Sequence, residues 1–164
     1  MGSDNHDDLK DTSGHNRIVY QANFVSDGGT GDAYGHGEHV AGIIAGTGKD
    51  STCGNCFGVI RGIAPNVSLI NLRALDKNGQ GTDSSVINAI NRAIQLKTTY
   101  NIRVLNLSVG RPIFESYKND PLCQAVEAAW KAGIVVVVAA GNDGRDNSVG
   151  EHGYGTITAP GNDP

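Results

Sequence analysis

The chain has 164 residues, 23 of them Gly, and a formal net charge of −4. That length suits one globular domain, and Leu, Ile, Val and Phe are too frequent for intrinsic disorder. The 13 basic residues form no cluster that could track a phosphate backbone, so no nucleic-acid partner is expected. The longest apolar run, Ile134 to Ala140, is far short of a bilayer span, and the opening residues Met1 to Asp8 lack the apolar core of a signal peptide.

Residues 17–25 are β-rich and close on the turn-prone stretch 26–32, which reads as a first strand. From Gly35 to Ala45, Val40, Ala41, Ile43 and Ile44 fit a short buried helix stopped near Gly46 and Gly48, with His36 in its first turn. Residues 46–62 read as a surface loop, and 67–75 alternate like a strand before the Gly-rich turn 78–81. Thr82 or Asp83 can cap a helix whose stripe is Val86, Ile87, Ile90, Ala93 and Ile94. Residues 103–107 form the next strand. Asp120 as cap and Pro121 in the first turn then open a helix holding Val126, Ala129 and Trp130, which ends at Gly133. The last element, residues 134–140, is apolar without alternation, as a parallel strand covered on both faces should be.

Strands alternating with helices predict an α/β fold: a three-layer open sheet, mostly parallel, with ligands bound beyond the strand C-termini. Three segments converge on that edge: Gly79-Gln80-Gly81, Ser108-Val109-Gly110 and Gly141-Asn142-Asp143-Gly144. Of the three cysteines, Cys123 falls on the apolar face of a helix. Cys53-Gly54-Asn55-Cys56 is a single CxxC in a polar loop, free or disulfide-bonded, with no second pair to complete a structural zinc site.

Tyr34-Gly35-His36-Gly37-Glu38-His39-Val40-Ala41-Gly42 resembles the histidine motif of subtilisin-like serine proteases. Matching blocks continue in order: Arg61-Gly62-Ile63-Ala64-Pro65, the turn 78–81, Asn106-Leu107-Ser108-Val109-Gly110, Val138 to Gly144, and Gly155 to Asn162. The resemblance implies a partial subtilisin-like fold over residues 1–164 and serine endopeptidase chemistry. It gives His36 the role of general base and the Asn142 amide that of oxyanion donor. Gly79, Gln80, Gly81, Ser108, Val109 and Gly110 would bind an extended peptide or protein substrate as an added strand, and Ala140 and Gly141 would line the pocket wall. His39 is assigned to structure. Ser108 is no nucleophile elbow, because Asn106 stands where that pattern needs Gly. By the same resemblance the parent enzyme is extracellular.

Two triad members are missing from the pattern. No apolar strand ending in Asp precedes Leu9, where Asn5 to Leu9 resembles the segment shortly after that Asp, and no Gly-Thr-Ser-like turn opens a helix before Pro164. The reading is therefore a fragment cut inside a catalytic domain at both ends and inactive by itself, whose open strand edges make it a homo-oligomer. Glu38 departs from the family, which has Thr there. The loop 49–60 follows no calcium pattern, so no metal ligand and no cofactor are carried over. Two alternatives stand beside this. One is a zinc-dependent hydrolase of the deaminase kind using His36, Glu38, Cys53 and Cys56, although Thr52 replaces the Pro of that signature. The other is a non-catalytic, self-associating fragment.

Overall fold

The computed structural model describes residues 6–148 and 155–164. Four strands and three α-helices alternate: β1 (Ile18–Asn23), α1 (His36–Ala45), β2 (Leu69–Arg73), α2 (Asp83–Tyr100), β3 (Val104–Leu107), α3 (Pro121–Lys131) and β4 (Val135–Val138). The expected order is thus observed, with each strand shorter than its apolar run. The chain forms two compact units, residues 1–85 and 86–164. Of the segment Asn5 to Leu9 compared with the family's post-Asp stretch, Asn5 lies outside the described residues, as do Met1 to Asp4.

In the first unit β1 pairs in parallel with β2, Ile18 opposite Leu69 and Asn23 opposite Arg73. A parallel pair needs a crossover between its strands, which α1 and its loops supply. Leu9, Ile18, Ala41 and Ala45 form the core, with Ile44 and Leu69 packed against it. Leu9 comes from the 3-10 turn Asp7–Leu9, and burying it stabilises the unit by about 2 kcal/mol. Buried Arg17 ties three segments, donating to the carbonyls of Val67 at 3.0 Å, of Asp8 at 3.0 Å, and of Ala45. The Ala45 carbonyl is at the C-terminal end of α1, where a cation also meets the negative end of the helix dipole. Ile43, expected inside, is 56% exposed, because the helix buries the small residues Ala41 and Ala45 instead.

In the second unit β3 pairs in parallel with β4, Val104 opposite Val135 through Leu107 opposite Val138. The α2 stripe buries Val86, Ala89, Ile90 and Ala93, while Ile87 and Ile94 are half-buried at its margin. Helix α2 starts on a reciprocal cap, Ser85 N–H to Thr82 Oγ1 at 3.2 Å and Thr82 N–H to Ser85 Oγ at 3.1 Å. It ends on left-handed Asn101 (φ 51°), past which the Ile102 amide reaches back to the Lys97 carbonyl at 3.0 Å. Helix α3 opens on Asp120 with Pro121 next to it, as expected, and closes on left-handed Gly133. It buries Leu122, Cys123, Ala125, Val126 and Ala129 and leaves Trp130 exposed. Strand β4 departs from expectation: Val135 and Val137 are each 49% exposed, and Val104 beside them on β3 is 58% exposed. The pair is covered on one face, not two.

Candidate functional site

The position of His36 is built outward from β2. Asn71 and Arg73 are polar, yet they point from this strand into buried surroundings and hold the loop that leads to α1. The Asn71 amide donates to the Thr30 carbonyl at 2.8 Å. Arg73 donates to the Gly28 carbonyl at 2.5 Å and the Gly29 carbonyl at 3.2 Å, and it meets Asp27 Oδ2 at 2.7 Å, where the Lys77 amide also donates at 2.7 Å. Burial pulls Asp27 upward, but the Arg73 guanidinium and the Lys77 amide outweigh it and hold the carboxyl below the ordinary aspartate range.

Asp32 completes the approach. Gly35, the residue before α1, is left-handed at φ 92° and brings no capping side chain. Asp32 caps the helix from upstream instead, accepting the Tyr34 amide at 3.1 Å on Oδ1 and the Glu38 amide at 2.9 Å on Oδ2. That bond satisfies an N–H that the first helical turn otherwise leaves open. His36 is therefore the first residue of a helix anchored on both its strand and its cap. Its side chain is half-buried, as is Glu38, and His39 is exposed. The turn 78–81 reaches the same loop: a Cβ on left-handed Gly79 would sit 3.2 Å from the Tyr34 ring. Asp76 shapes that turn by accepting the amides of Asn78 at 2.8 Å and Gln80 at 2.9 Å. Gln80 and Gly81 are exposed.

The second unit brings Gly110, Ala140 and Gly141 together around residues 158–159, part of the matching block Gly155 to Asn162. Ala159 exchanges backbone bonds with Arg111 at 2.9 and 3.0 Å, and the Thr158 amide donates to the Ala140 carbonyl at 2.9 Å. Residues 158–159 thus lie between 110–111 and 140–141. Thr158 explains two glycines, since a Cβ on Gly110 would fall 2.4 Å from its Oγ1 and one on Gly141 2.9 Å from it. Ser108 accepts the Asn106 amide on Oγ at 2.9 Å and is half-buried with Val109. Gly110, Ala140, Gly141 and Asn142 are exposed. Asn142 follows Gly141, whose φ of 111° turns the chain out of β4.

Cys53 and Cys56 are joined in a disulfide. This settles the sequence-level choice and leaves no thiolate at either position for the zinc reading, which needs both as ligands. Cys123 is free and buried, and burial followed by the charges of Asp120 and Asp163 pushes its thiol up to about 11. His6, Asp8 and Asp50 place ligand-type atoms within 4.8 Å of one another. Asp8 Oδ1 already accepts the Asp50 amide at 3.1 Å and the Thr47 hydroxyl at 3.3 Å. These three and Asp32 were missed by sequence reasoning, because only the fold brings residue 50 to residue 8, and an aspartate four residues before a helix carries no motif.

Residues 3–162 match the family described as Subtilase family, peptidase S8. Serine protease AprX of Bacillus subtilis (strain 168) is 39% identical over 79% of this chain and 28% of its own length. Subtilisin DY of Bacillus licheniformis is 39% identical over 91% of this chain and 47% of its own. Among solved structures, a cold adapted subtilisin-like serine proteinase is 32% identical over 87% of this chain and 44% of its own, with a TM-score of 0.65. Sphericase is 26% identical over 86% of this chain and 43% of its own, with a TM-score of 0.64. The chain spans less than half the length of these relatives. It belongs to the subtilase family, and its α/β architecture is that of a partial subtilisin-like fold.

Proposed function

We propose that this chain carries part of the catalytic domain of a serine endopeptidase, in which His36 is the general base and Asn142 the oxyanion donor. The observation that carries the reading is the placement of His36 as first residue of an anchored helix, within a chain that matches the subtilase family from residue 3 to residue 162. An imidazole fixed on a helix end keeps its orientation toward a nucleophile, which a general base requires. Gly79 to Gly81 and Ser108 to Gly110 take an extended peptide by backbone pairing, with Ala140 and Gly141 in the pocket wall. The 164 residues offer no serine or aspartate in the triad's sequence pattern, so the chain alone binds substrate without turning it over. A peptide nitroanilide assay with an active-serine phosphonate probe is expected to show neither hydrolysis nor labelling, and either signal overturns the inactivity. An extended peptide should bind more tightly by fluorescence anisotropy than the same peptide with internal prolines, which lack the donating N–H. Equal binding of the two sinks the groove assignment.

Its partners follow from the same reading: an extended peptide and, through open strand edges, a second copy of the chain, with no nucleic acid and no membrane surface. Among the described residues, no helix is long and apolar enough to cross a membrane. The disulfide and the likeness to subtilisins support an extracellular location, although one relative, 40% identical over 85% of this chain, is a major intracellular serine protease.

A further inference from the structure

We propose that Cys53 and Cys56 form a reversible redox clip that a low-potential dithiol opens, freeing residues 52–58 while the first unit stays folded.

The clip is at the tip of an excursion whose base is held independently. The Thr47 amide donates to the Asp8 carbonyl at 2.9 Å, the Gly62 amide to the Gly46 carbonyl at 2.8 Å, and the Ala64 amide to the Ile44 carbonyl at 2.8 Å. The neck is tight as well. A Cβ on left-handed Gly48 would fall 2.8 Å from both the Ile60 carbonyl oxygen and Val59 Cγ1, so the two limbs touch there. The Asp50 amide on Asp8 and Lys49 beside Asp7 at 3.4 Å fix the outgoing limb to the turn that carries core residue Leu9.

Beyond the neck those ties thin out. Among the described residues, the backbone amides of 52–59 make two hydrogen bonds, Thr52 to the Lys49 carbonyl at 3.3 Å and Cys56 to the Cys53 carbonyl at 3.0 Å; Ile60 then closes the neck by donating to Ser51 Oγ at 2.8 Å. Phe57 is wholly exposed, so no apolar packing of its ring pins the tip. The covalent bond is its main constraint. Its position also makes it reducible without unfolding: Cys53 is exposed, Cys56 is half-buried, and two residues separate them. So small a ring removes little chain entropy, and exposed disulfides are the labile, regulatory ones. A thiolate of the reductant attacks one sulfur to give a mixed disulfide, and its second thiol displaces the protein sulfur. The reductant ends as a disulfide, and its two protons pass to Cys53 and Cys56.

Cys123, fully buried in the other unit, is an internal reference that should stay unmodified. The test is to treat the intact chain with dithiothreitol under native conditions, alkylate it, and locate the adducts by mass spectrometry while circular dichroism reports the fold. The expected result is two adducts, at Cys53 and Cys56, none at Cys123, and an unchanged spectrum. Thermolysin should then cut within 52–58 severalfold faster than in the oxidised chain, and the C53S/C56S variant should be cut at that faster rate with or without dithiol. Reduction that occurs only together with Cys123 alkylation and loss of the spectrum overturns the proposal, as do equal cleavage rates in the two redox states of the wild-type chain.

Discussion

Asp120 concentrates several effects in one side chain. It is fully buried, caps α3 by accepting the Leu122 amide at 2.9 Å, and meets Arg111 at 2.8 Å, all through Oδ1. Asp120→Ala removes both the cap and the carboxylate that pairs with Arg111, at a cost of about 3 kcal/mol, whereas Asp120→Asn keeps the cap and costs about 1 kcal/mol. Urea unfolding of both variants measures the difference, and equal losses would show that the cap contributes nothing beyond the ion pair. Two other aspartates set opposite pH dependences. The folded value of Asp27 lies below that of the unfolded chain, so its contribution is present above the ordinary aspartate range and is lost as pH falls through the folded value. Asp27→Asn should therefore flatten the acid limb of a stability–pH curve. Asp163 is pushed up by burial and then by the Glu127 charge, so its contribution is present at low pH and disappears as pH rises through its folded value. Asp163→Asn should raise the melting temperature at neutral pH and leave it unchanged in acid.

At the scale of elements, what was legible in the sequence was what local chemistry dictates. Asp120, Pro121 and Gly133 marked both ends of α3, and the α2 stripe named three of its four buried apolar positions, because caps and apolar spacing act within a turn or two. The placement of His36 at a helix start was legible for the same reason. What supports that start was not: Asn71 and Arg73 look like ordinary strand residues until the loop 27–30 folds onto them. Within the second unit, likewise, Thr158 gains meaning only from the two glycines it crowds. Glycines separate the two kinds of information. Gly133 is left-handed with nothing nearer than Lys97 Cε at 3.6 Å, so Gly133→Ala costs about 1 kcal/mol of backbone strain. Gly62 has no positive φ, but a Cβ there would lie 2.6 Å from the amide nitrogens of Ala45 and Gly46 and 2.8 Å from the Gly42 oxygen. Backbone cannot give way as a side chain can, and Gly62→Ala should cost about 3 kcal/mol. Thermal unfolding of the two variants, with Gly62→Ala expected to show the larger loss, tests whether close approach outweighs conformation here.

For the whole molecule, the clearest gap between sequence and structure is the uncovered face of the β3–β4 pair. A run of four valines reads as a strand buried on both faces, and hydrophobicity alone cannot say whether a second layer is present. Parallel pairs are ordinarily sandwiched between layers, so Val104, Val135 and Val137 standing about half exposed on one face leave apolar surface that water covers poorly. Each pair is also only two-stranded, with an edge of unpaired backbone groups on either side among the described residues. Both features favour association between copies, the first by burial and the second by added strand pairing. Light scattering across a wide concentration range should therefore show a mass that rises above the monomer, with a negative heat-capacity change on association. Val135→Lys with Val137→Lys places two charges at half-exposed positions of β4 and leaves buried Ile134 in place, so it should restore the monomer while the far-ultraviolet spectrum is preserved. A wild-type chain that stays monomeric throughout would show that neither face nor edge drives assembly. A double variant that still associates would leave the strand edges as the contact.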